Sequence, residues 1–325
     1  MTARRMRMAA VIGVIAVIVA ACGTPASHSP RPQPPTTSPA ATLTPPGVGA
    51  QAEPHVMVIV EENRGYAATL GSCDADPYLC SLASDYMSFT AWYAIAHPSA
   101  PNYLALVSGS TQGVSSDCTP DGGGCGPFRA RDLGGGLSAT GIPWVAYMEG
   151  MPSPCDQVGS TGDYAEKHDP FMYFSDNLGA TCALHILPYP GAPTVVAALD
   201  SSRPPDFVWI TPNLAHDMHD GSVGQGDAWL RANLPPVLAS SWFADHGTVI
   251  ITMDENDASP SGSCCGNAAG GRVPMIVLSA GLRGRGPIAT VGDHYSTLRA
   301  IELAFGLPLL GTAAPAAGEL SALLG

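Results

Sequence analysis

The sequence predicts an α/β fold with a mostly parallel central sheet and helices on both faces. Three observations predict it. Apolar, β-rich runs recur along the chain, helical patterns separate them, and polar clusters directly follow several of the runs. Unbroken apolar runs suit strands buried on both faces of a parallel sheet, and strands alternating with helices imply that layering.

The first run, 56–60 (VMVIV), stops abruptly at Glu61-Glu62-Asn63-Arg64. Similar strand-like runs cover 142–147, 207–210, 248–253 and 274–278. Between them, helices are predicted over 76–87, 100–108, 225–245 and 295–305. Three strand ends are polar. Glu61-Glu62-Asn63 follows the first run, Asn213, His216, Asp217, His219 and Asp220 follow the third, and Asp254-Glu255-Asn256-Asp257 follow the fourth. Sites in open α/β sheets form beyond the carboxyl ends of strands, so these clusters can converge on one place. Taken singly, each is equally explained by loops facing water.

Upstream of this domain the chain has a different character. Arg4, Arg5 and Arg7 precede an apolar run over 8–21 that ends in Val19-Ala20-Ala21-Cys22. A membrane-spanning helix needs roughly 20 apolar residues, so the run reads as an export signal. Small residues directly before a cysteine resemble a bacterial lipobox, which predicts a lipoprotein signal over 1–22 and a lipid anchor on Cys22. The alternative is an ordinary signal cut near Ala21, with Cys22 incidental. Residues 23–54 are rich in Pro, Ser, Thr and Ala and read as an extended, disordered tether. That leaves 55–325 as one catalytic-sized domain, expected to be monomeric and held at the outer face of a membrane or secreted.

Nine cysteines include eight beyond Cys22, an even number that argues for disulfides in an exported chain. Eight cysteines allow about 105 pairings. Short loops favour Cys73–Cys80 and Cys118–Cys125, leaving Cys155–Cys182 and the adjacent Cys264–Cys265. A thiolate metal site is disfavoured, since the chain has no C-x-x-C pair. The formal charge of −13 argues against nucleic-acid partners and against electrostatic adhesion to anionic lipid.

Carboxylates, an amide oxygen and histidines together suit a divalent cation. Such a cation beside a hydroxyl lowers its pKa and stabilises charge growing on a phosphoryl oxygen. The candidate hydroxyl is Ser99, in His97-Pro98-Ser99-Ala100-Pro101-Asn102. Its position predicts a helix N-cap, with Pro101 in the first turn. A helix N-terminus binds phosphate well, so a serine there can also attack one. On its own, Ser99 is better explained as a simple cap, since serine caps are common.

Five segments occur in order: the strand from His55 through Glu62-Asn63-Arg64, His97-Pro-Ser-Ala-Pro-Asn102, His216-Asp-Met-His-Asp-Gly221, Met253-Asp-Glu255 and Asp293-His294-Tyr295-Ser296. Together, over 55–310, they resemble the phosphoesterase family of the alkaline-phosphatase superfamily, which includes bacterial phospholipases C and acid phosphatases. The resemblance is nearest to short secreted bacterial members acting on phosphoinositide monophosphates. It implies an alkaline-phosphatase-like fold and an exported, metal-dependent phosphomonoesterase working through a phosphoserine.

By that resemblance, Glu62, Asn63, Asp254 and Glu255 match metal ligands. Ser99 matches the nucleophile, which also touches the metal. His216, His219 and His294 match histidines near the phosphate or a second metal. Asn102, Lys167 and His168 match substrate-binding positions, the last two through Lys167-His168-Asp169-Pro170. A histidine, His219 or His294, would protonate the leaving alkoxide. An imidazolium acid would favour mildly acidic pH. The expected substrate is a phosphorylated small molecule or a phospholipid headgroup. An oxygen-rich shell suits Ca²⁺, Mg²⁺ or Mn²⁺, and added histidines admit Zn²⁺ or Fe. A sulfatase would need arginine four positions after the nucleophile, where this chain has Tyr103. The rivals are a phospholipase C-type phosphodiesterase and a lipid-anchored protein that only binds phosphate or metal.

Overall fold

The apolar run at 56–60 forms the middle of a nine-stranded sheet. In this computed structural model, residues 54–120, 125–157, 159–257, 262–266, 268–313 and 320 are described. The expected lipobox signal at 1–22, and residues 23–53 of the tether expected over 23–54, lie outside the described residues. In chain order the strands are β1 (His55–Glu61), β2 (Met87–Tyr93), β3 (Trp144–Met148), β4 (Ile186–Pro188) and β5 (Phe207–Thr211), then β6 (Gly247–Met253), β7 (Arg272–Val273), β8 (Met275–Leu278) and β9 (Gly286–Asp293). The helices are α1 (Pro77–Asp85), α2 (Ser99–Ser108), α3 (Leu133–Thr140), α4 (Cys182–His185), α5 (Ala192–Leu199), α6 (Val223–Leu238), α7 (Ser241–Ala244) and α8 (His294–Ala304).

Strand order is β4-β3-β5-β1-β6-β8-β2-β7, with β9 also pairing β2. The pairs β3–β4, β3–β5, β1–β5, β1–β6 and β2–β9 are parallel, whereas β6–β8, β2–β8 and β2–β7 are antiparallel. The sheet is therefore mixed and mostly parallel, as expected. Every residue of β3, β5 and β6 is buried, so both faces of the central strands are covered. That burial is why those runs read as continuously apolar. Val56, Met57, Val58 and Val60 expose nothing, and each such side chain contributes about 1.5–3 kcal/mol of transfer free energy.

The structure corrects several local expectations. The helix expected over 76–87 ends at Asp85, and β2 begins only two residues later. The helix expected over 225–245 breaks at Ala239, and Ser240 starts α7 by accepting a hydrogen bond from Phe243 N. Ser99 is not a cap. It is the first residue of α2, and Pro98 holds the cap position without a side-chain hydrogen bond of its own. The Ser99 hydroxyl is thereby left for other contacts. Gly109, in the left-handed region at φ 66°, closes the far end of α2, where a Cβ would lie 2.2 Å from Leu310 O.

All four expected disulfides are present: Cys73–Cys80, Cys118–Cys125, Cys155–Cys182 and Cys264–Cys265. They suit an oxidising compartment outside the cytoplasm. Among the described residues no helix is long and apolar enough to cross a membrane.

Asp227, in α6, reaches across to α1, where Oδ1 accepts from Leu79 N at 2.8 Å. It supplies that helix with the side-chain cap its own N-cap residue, Asp76, does not make. Asp227→Ala should cost about 1–2 kcal/mol. In a chain of this size that corresponds to a melting temperature lower by about 2–4 °C or somewhat more, read by calorimetry.

Candidate active site

The parallel register between β1 and β6 pairs Glu61 with Met253, so the chains leave the sheet side by side at Glu62 and Asp254. The ladder continues one step further, with Asp254 N donating to Glu61 O at 3.0 Å. Asn63, in the left-handed region at φ 48°, turns its backbone N–H onto Asp254 Oδ1 at 3.0 Å. On the other side Glu62 N donates to Asp217 O at 2.6 Å, which brings in the segment after β5. Three polar strand ends thus do converge.

Ser99 enters this group at the N-terminus of α2. Its Oγ donates to Glu62 Oε2 at 2.9 Å and lies 3.4 Å from Glu255 Oε1. The other oxygen of Glu255 touches His97 Nδ1. Glu62, Ser99, Asp254 and Glu255 are all buried.

Asn102 explains why Ser99 stands there. Its Oδ1 accepts from the backbone N–H of Ile95 and of Ala96, both at 2.9 Å. Its Nδ2 donates to Ala96 O at 2.9 Å and Pro98 O at 3.2 Å. The amide is fully buried and spent on four backbone bonds. The expected substrate-binding role of Asn102 is therefore corrected: it staples the 95–98 turn that aims Ser99.

His168 lies between two carboxylates, with Nε2 3.2 Å from Glu62 Oε1 and Nδ1 3.4 Å from Asp217 Oδ2, and its ring stacks on Tyr103. Burial, helped by Lys167 and His219, holds the imidazole well below the usual histidine range. Neither close approach has hydrogen-bond alignment. His168 Nε2, Glu62 Oε1, Asp217 Oδ2 and Asp254 Oδ2 are all buried without a hydrogen-bond partner. Buried polar atoms are normally satisfied, so these mark the place of a missing polar group. A divalent cation would fit those unpartnered atoms of Glu62, Asp217, Asp254 and His168, beside Ser99 Oγ.

Burial also pushes the acids up. Asp254 rises to about 6, while Glu255 rises to about 8, with Asp254 as the second cause. Asp217 rises to about 8, chiefly through burial, and Glu62 goes well above the usual carboxylate range through burial and the charges of Asp254 and Asp217. The nearby cation is Lys167. Burial works against its charge, but Asp117, Glu62 and Asp254 outweigh that and push its pKa up.

The remaining histidines divide. His219 is in the group: its ring is 5.8 Å from that of His168, and Asp220 Oδ1 holds its Nδ1 at 2.7 Å. His294, placed by the Asp293–Ser296 capping box of α8, lies 2.5 Å from the Asp254 carbonyl through Nε2. Its Nδ1 is buried without a partner, and burial lowers its pKa to about 4. That burial disfavours the proton-donor role expected of His294 and leaves an unpartnered ring nitrogen beside Asp254. His216 stands apart, its Nδ1 on Glu149 at 2.9 Å and its side chain 40% exposed. Reasoning from the sequence also gave no role to His97, Asp217 or Asp117. Asp217 had a signal in its place between two motif histidines, whereas Asp117 had none.

The model of the Phosphoesterase family matches residues 72–308. The chain belongs to the phosphoesterase family. It is 34% identical over 277 residues to the phosphatidylinositol-3-phosphatase of Mycobacterium tuberculosis, a match covering 82% of this chain and 83% of that protein. It is 29% identical over 246 residues to an acid phosphatase of Aspergillus fumigatus, covering 73% of this chain and 52% of the fungal one. Among solved structures it resembles an alkaline phosphatase superfamily protein from Vibrio parahaemolyticus (TM-score 0.55, 11% identity, 81% of this chain and 70% of that one). It also resembles the lipoteichoic acid synthase LtaP of Listeria monocytogenes (TM-score 0.56, 12% identity, 83% and 77%). These likenesses carry the fold, and the phosphoesterase is a phosphoric ester hydrolase.

The phosphoesterase's raised carboxyls make its stability pH-dependent. In the unfolded chain they ionise near pH 4, but the fold prefers them protonated. Without metal the penalty therefore appears as pH rises through about 4, and for Asp217 and Glu255 it is complete only above about 8. Chelator-treated protein should melt at a lower temperature at pH 8 than at pH 5, and Asp217→Asn should flatten that slope in a thermal scan. Asn102→Ala should leave the N–H groups of Ile95, buried, and Ala96, half-buried, without their acceptor, costing about 2–4 kcal/mol, with kcat falling alongside the melting temperature.

Proposed function

We propose that this chain is an exported, metal-dependent phosphomonoesterase with Ser99 as its nucleophile. One observation carries the reading: the Ser99 hydroxyl does not cap its helix but points at Glu62 Oε2 from 2.9 Å. It stands at the first residue of α2, where backbone N–H groups and the helix dipole favour a phosphate.

Ser99 Oγ attacks phosphorus, the bond to the ester oxygen breaks, and a phosphoserine forms. The hydroxyl proton is already directed at Glu62. His219, oriented by Asp220, protonates the departing alkoxide, and water then hydrolyses the phosphoserine. Lys167 offsets the charge on the phosphoryl group. A divalent cation bound by Glu62, Asn63, Asp254 and Glu255 would lower the pKa of the Ser99 hydroxyl and offset charge growing on the phosphoryl oxygens. The substrate class we favour is a phosphoinositide monophosphate or related monoester. It is supported by 34% identity to a phosphatidylinositol-3-phosphatase over most of both chains.

Ser99→Ala should reduce p-nitrophenyl phosphate hydrolysis by about a thousandfold or more, and equal rates would remove Ser99 from the mechanism. Chelation should abolish activity, with recovery on adding back one of Ca²⁺, Mg²⁺, Mn²⁺, Zn²⁺ or Fe²⁺. Full activity in EDTA would reject the metal. A preference for bis-p-nitrophenyl phosphate would favour the diesterase rival.

A further inference from the structure

Beside Ser99, where a phosphate would approach, the protein has a carboxylate of its own. Asp117 Oδ1 accepts from Ala100 N at 3.1 Å, at the start of α2, and Asp117 Oδ2 accepts from Lys167 Nζ at 2.6 Å. Both donors suit a phosphoryl oxygen: an amide at the N-terminus of a ten-residue helix and a lysine ammonium. The two oxygens of Asp117 thus already make the contacts that a phosphate would make next to Ser99. The same carboxylate adds to the burial and Asp254 charge that raise Glu255.

The Asp117 side chain is a third exposed, at 34%, so it can turn out into solvent. Its backbone is held. The next carbonyl, Cys118 O, accepts from the hydroxyl of fully buried Tyr173 at 2.5 Å, and Cys118 is bonded to Cys125. Release is then a side-chain rotation rather than a loop movement.

We propose that Asp117 is an internal stand-in for substrate phosphate and acts as a charge filter. It must be displaced from Ala100 N and Lys167 before a phosphoryl group can bind, which favours dianionic monoesters over singly charged diesters. The physical reason is competition for one ammonium and one amide. A phosphomonoester brings two negative charges against Asp117's one, whereas a phosphodiester brings one and holds no electrostatic advantage. Asp117 is a specificity-determining residue in this scheme, and it takes no part in bond making. The inference rests on the monoesterase reading.

The test compares wild type with Asp117→Asn, which keeps size and a hydrogen-bond acceptor but loses the charge. The first arm needs no turnover. In a Ser99→Ala background, the inorganic phosphate needed for half of the maximal melting shift should fall about tenfold when Asp117→Asn is added. The second arm is kinetic. The ratio of kcat/KM on bis-p-nitrophenyl phosphate to that on p-nitrophenyl phosphate should rise about tenfold, with Asp117→Glu returning it towards wild type. Phosphate binding that is unchanged or weaker in Asp117→Asn would mean that Asp117 only positions Lys167, and would overturn the proposal. An unchanged substrate ratio would overturn it too. Wild type that turns over neither ester would instead sink the monoesterase reading, while the phosphate-binding arm still decides the role of Asp117.

Discussion

Negative charge out of contact with water is the constraint around which this protein is arranged. Glu62, Asp217, Asp254 and Glu255 are packed together out of solvent at the end of the sheet, with Lys167 as the cation within their reach. Buried carboxylates are tolerated when paired, protonated or bound to a cation. Here burial drives them towards protonation and leaves oxygens of Glu62, Asp217 and Asp254 unsatisfied. Such an arrangement costs stability in isolation. It makes chemical sense as a receptacle for positive charge beside a nucleophilic hydroxyl.

The surrounding elements hold that charge in place without competing for it. Asn102 uses all of its hydrogen-bonding capacity on the turn before α2, so it stiffens the approach to Ser99 and leaves the hydroxyl alone. The capping box of α8 fixes His294 against the Asp254 carbonyl. His168 is wedged between Glu62 and Asp217 by its stack on Tyr103. Tyr103 occupies the position where a sulfatase would carry arginine, and it serves here as a packing surface.

How much could be read from the residues alone depended on whether burial left a pattern. β1, β5 and β6 were legible because strands covered on both faces are apolar throughout, and their polar ends marked the site. β2 was not. Its MSFTAWY segment follows α1 without a turn signal, so the helical reading ran on into it. β4 and β7, at three and two residues, are too short for any periodicity. Within the site, Glu62, Ser99, Asp254 and Glu255 could be singled out because three of them sit at strand ends, and the fold brings all four together. Asn102 was misread because a motif position shows that a residue matters, not whether its amide faces a ligand or the backbone. Asp117 escaped notice because its partners, Ala100 and Lys167, are distant in sequence and meet only after folding. The burial of His294 was hidden for a related reason: it depends on how α8 packs.

The register of β1 against β6 has a further meaning. Glu62 and Asp254 are neighbours only because seven residue pairs, from His55–Gly247 to Glu61–Met253, are aligned in parallel. Parallel neighbours so far apart along the chain are joined late and at high entropic cost. A slip of one position would turn every side chain of the slipped strand to the opposite face and separate the acids from Ser99. The centre therefore has no local precursor that a fragment or a partly folded chain could display. Hydrolytic competence becomes an all-or-none property of the finished sheet, withheld from the chain until it has folded.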